Sequence, residues 1–507
     1  MAGQRSNPFD SVPIETNQHI ASYLTSDFDL CNFRLVSHAT HDAVDADNDS
    51  FWRRRFLAVF ETPVWGGGRG RSTATSNLKF KREYQKRRRC LMFGAKYEAA
   101  LTRREGKEIR KGTEALEVIR ELLVDAFSEK PDSSDHGTVY ESVNLAAVLN
   151  FISNHDLLHF VLLPERKPPP PLRQRTRSSK SSMDIVCLPQ QLLQTIQILL
   201  APAMFDLERN LNHFSFSTSQ QVVYGTSVEH PIFEGCHGLD VNPAWVLHHI
   251  NFWKFHMTRP AECTLHGPFR DLSEDGKPRF WSRQLRQGSD TLGTRWKGSY
   301  AYLDRDLIAD VRTGRGNDSP IADEFNGEAD GGAGCFQDLK LDLVDEGDTF
   351  WPATFETHLR SLAPPPSRAK TRAQQRSATP EGLSAFKHQS FQFTGEGHDV
   401  AEDFCAQGWL NALPAQQGVP GWQRMTMMKY YEDLQTGGVD HDSLWAYEGV
   451  VLPGGQIMLG RWWSPGDGVG SEQYSGPFIL WCVDGPEVVE EGEVSNEDED
   501  VDEDNLP

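Results

Sequence analysis

Arg461 sits in the run Leu459-Gly-Arg-Trp-Trp463, where a permanent charge adjoins two tryptophans, and Trp445 and Trp481 flank the run at short range in the chain. Arginine and tryptophan dominate binding hot spots, so Trp445, Arg461, Trp462, Trp463 and Trp481 are the candidate substrate-binding residues, with Arg461 suited to an acidic or carboxyl-terminal group. The alternative is equally concrete: tryptophans fill barrels, and a charge near a barrel rim needs no ligand. His248, His249 and His256 share a stretch with Trp245, Phe252 and Trp253. A metal there would need further ligands at the right spacing, and none follows, so packed or exposed imidazoles are expected. There is no G-x-S-x-G, no lysine completing a phosphate loop after Gly66-Gly67-Gly68, and no G-x-G-x-x-G between a strand and a helix. No cofactor is implied. Acids scattered through the second half could meet in space, which the sequence cannot display.

A chain of 507 residues exceeds what one hydrophobic core usually serves, so several folded units are expected. With 38% apolar and 24% charged residues and a mean hydropathy of -0.52, the composition is that of a water-soluble protein. No apolar run reaches the length of a membrane span and the start lacks a secretory pattern, which leads to an expectation of a cytoplasmic or nuclear protein. Eight cysteines occur singly without a C-x-x-C pair, as expected for reduced and mostly buried thiols. The net charge of -21 argues against a dedicated nucleic-acid binder, which gains affinity from a basic face. The exception is Lys79 to Arg89, which reads either as a helix with a solvated basic face or as a nuclear-import or RNA-contacting stretch.

The elements that would carry these residues fall into blocks. Residues 8–60 read as a module of short helices, and 78–163 as a helical region in which Leu116, Ile119, Leu123 and Val124 form one stripe. Residues 164–184 hold a proline run and a basic serine-rich run that can bury almost nothing, hence a disordered linker. Residues 185–280 read as a helical and mixed segment, including a helix from Pro243 to Met257 that opens on proline. From 281 to 486 the pattern changes to glycine-punctuated, aromatic-rich runs of strand character, interrupted by a disordered insertion at 363–382. Residues 487–507 form an acidic tail. The fold class is therefore α+β and multidomain.

The first block has a definite order: Val12-Pro13-x-Glu15, then Ile20-x-x-Tyr-Leu24, Asp29-Leu30, Phe33, Arg34-Leu-Val36-Ser, and a closing Phe51-Trp52-Arg53. Pro13 marks a helix start, and Asp27 or Asp29 is placed to cap the next helix. About fifty residues of short helices can scarcely bury a core alone, which suggests a docking module. This order resembles the F-box, a three-helix module that packs on the adaptor Skp1 and through it hangs a substrate receptor on a cullin. The resemblance implies that Val12, Pro13, Ile20, Leu24, Leu30, Phe33 and Val36 are the Skp1-binding or core positions and that Trp52 closes the module. Thr16 and Asn17 stand where the family usually has apolar residues.

In the last block, Tyr447-Glu-Gly-Val-Val-Leu452 and Gln456-Ile-Met-Leu-Gly-Arg-Trp-Trp463 flank Pro-Gly-Gly and predict a hairpin. Along its second strand Ile457, Leu459, Arg461 and Trp463 point one way, Met458 and Trp462 the other. Apolar residues on both faces suit a barrel whose outside is partly covered by helices, and aromatics among glycines suit a sharply curved sheet. Trp296 to Asp304, Pro420 to Tyr430, Trp445 to Trp463 and Tyr474 to Asp484 resemble the C-terminal half of fungal-type F-box proteins. The resemblance implies a non-catalytic substrate-recognition subunit of a Skp1–cullin–F-box ubiquitin ligase, an antiparallel β-barrel binding an unknown target protein. Two other readings stay open: an F-box scaffold outside a ligase, and a barrel that holds a small ligand. Limited proteolysis of the free protein is expected to cut first within 164–184 and 363–382. Protection of both segments would show that they are folded.

Overall fold

The computed structural model describes residues 7–45, 51–64, 77–97, 106–128, 141–159, 188–209, 211–213, 215–235, 238–262, 265–288, 292–314, 322–325, 336–344, 351, 355, 390–398, 402–432, 439–440, 443–467 and 473–484. The segments 164–184, 363–382 and 487–507 lie outside these residues.

Helices dominate the first half. Pro13 is the cap residue of α1 (Ile14–Ser22), and α2 (Asp27–Arg34), α3 (His38–Asp45) and α4 (Phe51–Leu57) follow. Ser26, rather than Asp27 or Asp29, caps α2. Its Oγ accepts from the amides of Phe28 and Asp29 at 3.2 and 3.4 Å. Asn17 is fully buried and donates to the carbonyls of Phe9 and Val12 at 3.1 and 3.4 Å, tying the turn Pro8–Ser11 to α1. Gln18 donates to the Ala43 carbonyl at 2.9 Å and so fixes α1 on α3. Two amides thus do here what apolar side chains would otherwise do.

Next come α5 (Asn77–Phe93), α6 (Gly106–Asp125), α7 (Val143–Asn154), α8 (Gln190–Leu199), α9 (Ala201–Met204), α10 (Phe216–Tyr224), α11 (Pro243–Thr258) and α12 (His266–Asp271). The stripe on α6 is buried at Leu116, Ile119 and Leu123, as the spacing predicts. The short strands β1 (Phe233–Glu234) and β2 (Asp240–Val241) pair just before α11. Asn242 caps α11 by accepting from the Trp245 amide at 3.1 Å. Twelve of the sixteen residues of α11 are buried, which marks it as an interior helix rather than an amphipathic one.

The second half is the barrel. Its strands are β3 (Arg295–Tyr302), β5 (Gln337–Val344), β6 (Ser390–His398), β7 (Asp403–Ala412), β8 (Gln423–Tyr430), β9 (Trp445–Val451), β10 (Ile457–Trp463) and β11 (Ser475–Cys482), with the two-residue β4 (Glu324–Phe325) beside the end of β3. Every neighbouring pair is antiparallel, and β11 returns to β3, closing eight strands into a ring. Because β5 pairs directly with β6, the long segment between them is a connection within the barrel and not a boundary. The first barrel strand starts at Arg295, later than the change of pattern at 281. A helix that the glycine-punctuated reading missed, α13 (Arg305–Thr313), follows β3. It ends at Gly314 in the left-handed conformation, φ 64°, and buries Ile308 and Val311.

Strand alternation divides the apolar residues as expected. Met458, Trp462, Phe478 and Leu480 point into the barrel, whereas Ile457, Leu459, Ile479 and Trp481 point out and join one core that runs back through α11 to Ala21 of α1. Trp463 also points out, but into a small separate cluster with Phe355, Met428 and Ala446. The hairpin between β9 and β10 turns at Gly454 and Gly455, both with positive φ, 89° and 69°. Gly449 and Gly460 pair directly across this hairpin, and the ring covering both comes from Phe478 on the adjacent strand β11. A Cβ at Gly460 would strike that ring and the Glu448 carbonyl. Gly460→Ala is therefore expected to lower stability by about 2 kcal/mol or more, while Gly466→Ala, with nothing within 4 Å of the added carbon, should change it by less than about 0.5 kcal/mol. Equal denaturation midpoints for the two variants would contradict this account of the curvature.

Candidate functional site: an N-terminal face and a barrel cleft

The first surface comes from the N-terminal helices. Among the described residues, Ile14, Tyr23, Phe28, Leu35 and Val36 are exposed, with Tyr23, Phe28 and Leu35 at 71, 73 and 79%. Five large apolar side chains left to water within 23 residues are unusual for a surface that has no further use. The positions singled out from the sequence divide into two groups. Leu30 and Phe33 are buried and belong to the core, and Ile20 and Leu24 pack partly against it. Val12 is half-buried, while Pro13 and Val36 face solvent. Tyr23, Phe28 and Leu35 are exposed near them and are not among the positions that the resemblance singles out. Trp52 closes the module from inside, buried between Phe51, Tyr84 and the Lys81 ammonium.

The basic stretch on α5 is largely consumed in holding that module. Asp27 accepts from Arg55 at 2.9 Å, Tyr84 at 2.7 Å and Arg88 at 2.9 Å. Asp45 accepts from Lys81 at 2.5 Å and from Arg34. Further along, Lys86 pairs with Glu121 and Arg87 with Glu83 and the buried Asp125. The helix therefore carries neither a purely solvated basic face nor a continuous free cationic stripe. A nearby cavity of about 490 Å³ between α5 and α6 is lined by Lys86 and Lys111, which already hold Glu121 and Glu108.

On the barrel, the five candidate binding residues do not converge. Arg461 is 2% exposed and lies on the outer wall beneath α11, far from a solvated rim position. Its guanidinium donates to the His230 carbonyl at 3.2 Å and lies 6.0 Å from the centroid of Trp245. Burial pushes its pKa down to about 10, with Glu448 opposing and Arg312 adding to the fall. Beside it Arg424 and Glu448 form a buried pair at 2.5 Å. Trp481 donates to the Gly276 carbonyl at 2.8 Å on the same outer side, and Trp463 packs in its own cluster. Trp462 faces the interior, where its indole donates to Ala301 at 3.1 Å. Of the five only Trp445 is half-exposed.

The histidines of α11 are interior. Burial lowers the pKa of His248 to about 4 and that of His249 well below its usual value; His249 lies against Trp245, and His256 meets Asp323 at 3.1 Å. Burial also lowers Lys254 to about 8, and its ammonium donates to the Asn212 carbonyl at 2.7 Å. Among the described residues no three metal-binding side chains come together. Of the four described cysteines, Cys482 is buried, Cys90 and Cys405 are half-buried and Cys31 is exposed, so burial is less general than their spacing suggested.

Trp445 instead lines an open cleft of about 1550 Å³. Its floor is made by inward-facing barrel residues, Trp296, Leu339, Phe404 and Trp445. Six carboxylates stand around it: Asp338, Glu396, Glu402, Asp403, Glu432 and Asp440. The cations of the lining, Arg295 and Lys340, are paired with Asp484 at 3.3 Å and Asp342 at 2.9 Å, neither of which lines the cleft. Sequence reasoning could not find this group, because its acids come from four separate stretches of chain.

Compared with known proteins, the chain matches no family model, no curated protein and no solved structure. No described helix is long and apolar enough to cross a membrane.

Two outcomes follow. Burial alone would raise the pKa of Asp27, but its hydrogen bonds from Arg55, Tyr84 and Arg88 outweigh that and hold it below the usual carboxylate value. A depressed folded pKa stabilises above the unfolded value of about 3.9 and loses its contribution as pH falls through the folded one. Asp27→Asn should thus cost about 1 kcal/mol at pH 7 and progressively less as pH falls from about 4 toward 2, read from denaturant midpoints; a penalty unchanged across that range would contradict it. Arg461→Ala is expected to destabilise the whole protein by about 3 kcal/mol, because it leaves the seam under α11 with an unfilled, polar gap. A variant that keeps its melting temperature would place Arg461 outside the seam.

Proposed function

We propose that this chain is a non-catalytic substrate receptor of a ubiquitin ligase, its N-terminal helices docking on the adaptor Skp1 and its barrel holding the target protein. The observation that carries the reading is the exposed group Ile14, Tyr23, Phe28, Leu35 and Val36 on helices whose sequence order resembles the F-box. Apolar surface returned from water is favourable by about 25 cal/mol per Å², so such a face has most to gain from a partner. Leu30, Phe33 and Trp52 serve as the core that fixes its shape, and Asp27 and Asp45 anchor it to α5. The adaptor would bring a cullin, and compartment would follow the ligase, in cytoplasm or nucleus.

Exposed residues make the better test, since changing them spares the core. The double variant Phe28→Glu, Leu35→Glu should lose co-purification with Skp1 and cullin by about a hundredfold, as expected when two hot-spot contacts are replaced by buried charges, and should melt like the unaltered protein. Undiminished capture would refute the docking assignment. Recovery of Skp1 without a cullin from the unaltered chain would favour a scaffold working outside the ligase.

A further inference from the structure

We infer that the barrel cleft binds a basic peptide segment, reading lysine and arginine side chains; this deepens the receptor reading by naming the class of target it would select. Three independent features lead there. The first is shape and chemistry. The cleft of about 1550 Å³ has an aromatic floor, Trp296, Phe404 and Trp445, and rings of this kind attract cations to their faces. The same floor already does so within the chain, where the Lys429 ammonium lies 3.9 Å from the centroid of the Phe404 ring.

The second feature is charge. Of the lining's six carboxylates, Asp338 holds Lys297 at 2.6 Å and Asp403 meets the lining's His398 at 2.8 Å; set against Arg295, Lys340, Lys297 and the Lys429 beneath them, the acids remain in excess by two. Glu396, Glu402 and Glu432 are exposed and so available to a ligand from solvent. The third feature is a buried acceptor. Gln337 shares a strand with the lining residues Asp338 and Leu339 and points to the same side as Leu339. It is 5% exposed, and its Oε1 has no hydrogen-bond partner among the described residues. Gln337 does not itself line the cleft, but its buried carbonyl oxygen beside the floor is an unmet acceptor, and guanidinium and ammonium groups both supply the N–H it lacks. Aromatic floor, acidic wall and orphan acceptor select the same ligand, an extended chain bearing cationic N–H groups.

The test uses the full chain and a fluorescein-labelled peptide alternating Lys-Arg with Gly-Ser, beside a counterpart with Gln at every Lys and Arg. Anisotropy should show the basic peptide binding and the neutral one failing to bind. The double variant Glu396→Gln, Glu402→Gln and, separately, Trp445→Ala should each weaken binding about tenfold, and added salt should weaken it further. Equal binding of the two peptides would overturn the inference. So would undiminished binding to both cleft variants, which would place the peptide on another acidic part of the chain. Displacement by spermine as effective per charge as by unlabelled peptide would reassign the cleft to a small polyamine and overturn it likewise. Skp1 capture, measured on the unaltered chain, keeps the two proposals apart: capture without binding of the basic peptide removes only this one, and peptide binding without capture removes only the docking assignment.

Discussion

The outer wall of the barrel is covered by helices, with α11 against β10 and α12 against Trp481. Strands β9, β10 and β11 are apolar on both faces, and their outward residues Val450, Ile457, Leu459, Ile479 and Trp481 would lie in water were the helices removed. Each such side chain left exposed forgoes about 1.5–3 kcal/mol, so the five together forgo about as much as the whole net stability of a folded domain. In the other direction α11 is buried nearly all round, so it has no free face on which to stand as part of a separate helical domain. The helical segment and the barrel segment share apolar packing along this seam. One core joins them, from Ala21 in the first helix to Trp481 in the last strand.

Within that seam the charged group Arg424, Glu448 and Arg461 decides register more than it adds strength. A buried ion pair often contributes no more than well-packed apolar residues would, because desolvation offsets the attraction. Breaking it is costly, however, and that asymmetry penalises any misplacement of the wall under the helices. Arg461 stands opposite Glu448 in the pairing of β10 with β9, and Arg424 reaches the same carboxylate from β8. A slip of β10 by one residue would turn Arg461 toward the barrel interior, against Phe478 and Leu480 of β11, and away from Glu448. Curvature is set by a different device, glycine paired with glycine under a ring from the next strand, as at Gly449, Gly460 and Phe478.

How much of this was legible depended on the range of the interaction. The hairpin at Pro453-Gly-Gly, the in-and-out alternation of β10 and the proline start of α11 are local, and each was readable because propensity and packing agree there. The face on which Arg461 lies was also readable; its depth was not, since that depends on a helix some two hundred residues earlier in the chain. Ser26 displaced Asp27 as a cap for a similar reason. Asp27 is drawn away by Arg55, Tyr84 and Arg88, partners spread over more than sixty positions. The helix α13 could have been found from Asp304 at its start and Gly314 at its end, had glycine been read as a helix stop instead of strand punctuation. The acidic cleft had no local signal at all.

What the interior of the barrel contains bears directly on which kind of ligand it suits. Phe393, Leu410, Met425, Met427, Met458, Phe478 and Leu480 fill the ring from its several strands, and glycines face inward where the rings need room. Such packing gives the wall its rigidity, as expected of a small barrel whose interior is occupied by side chains rather than by solvent. A small-molecule site usually encloses most of its ligand in a concave apolar pocket; the cleft here is broad, open and rimmed with carboxylates. An open rim on a rigid wall can take an extended chain that remains partly in solvent, with polar backbone outside and individual side chains turned toward the aromatic floor. In the proposed receptor, such geometry would make discrimination depend on charge and on a few side-chain contacts rather than on the size of the whole ligand.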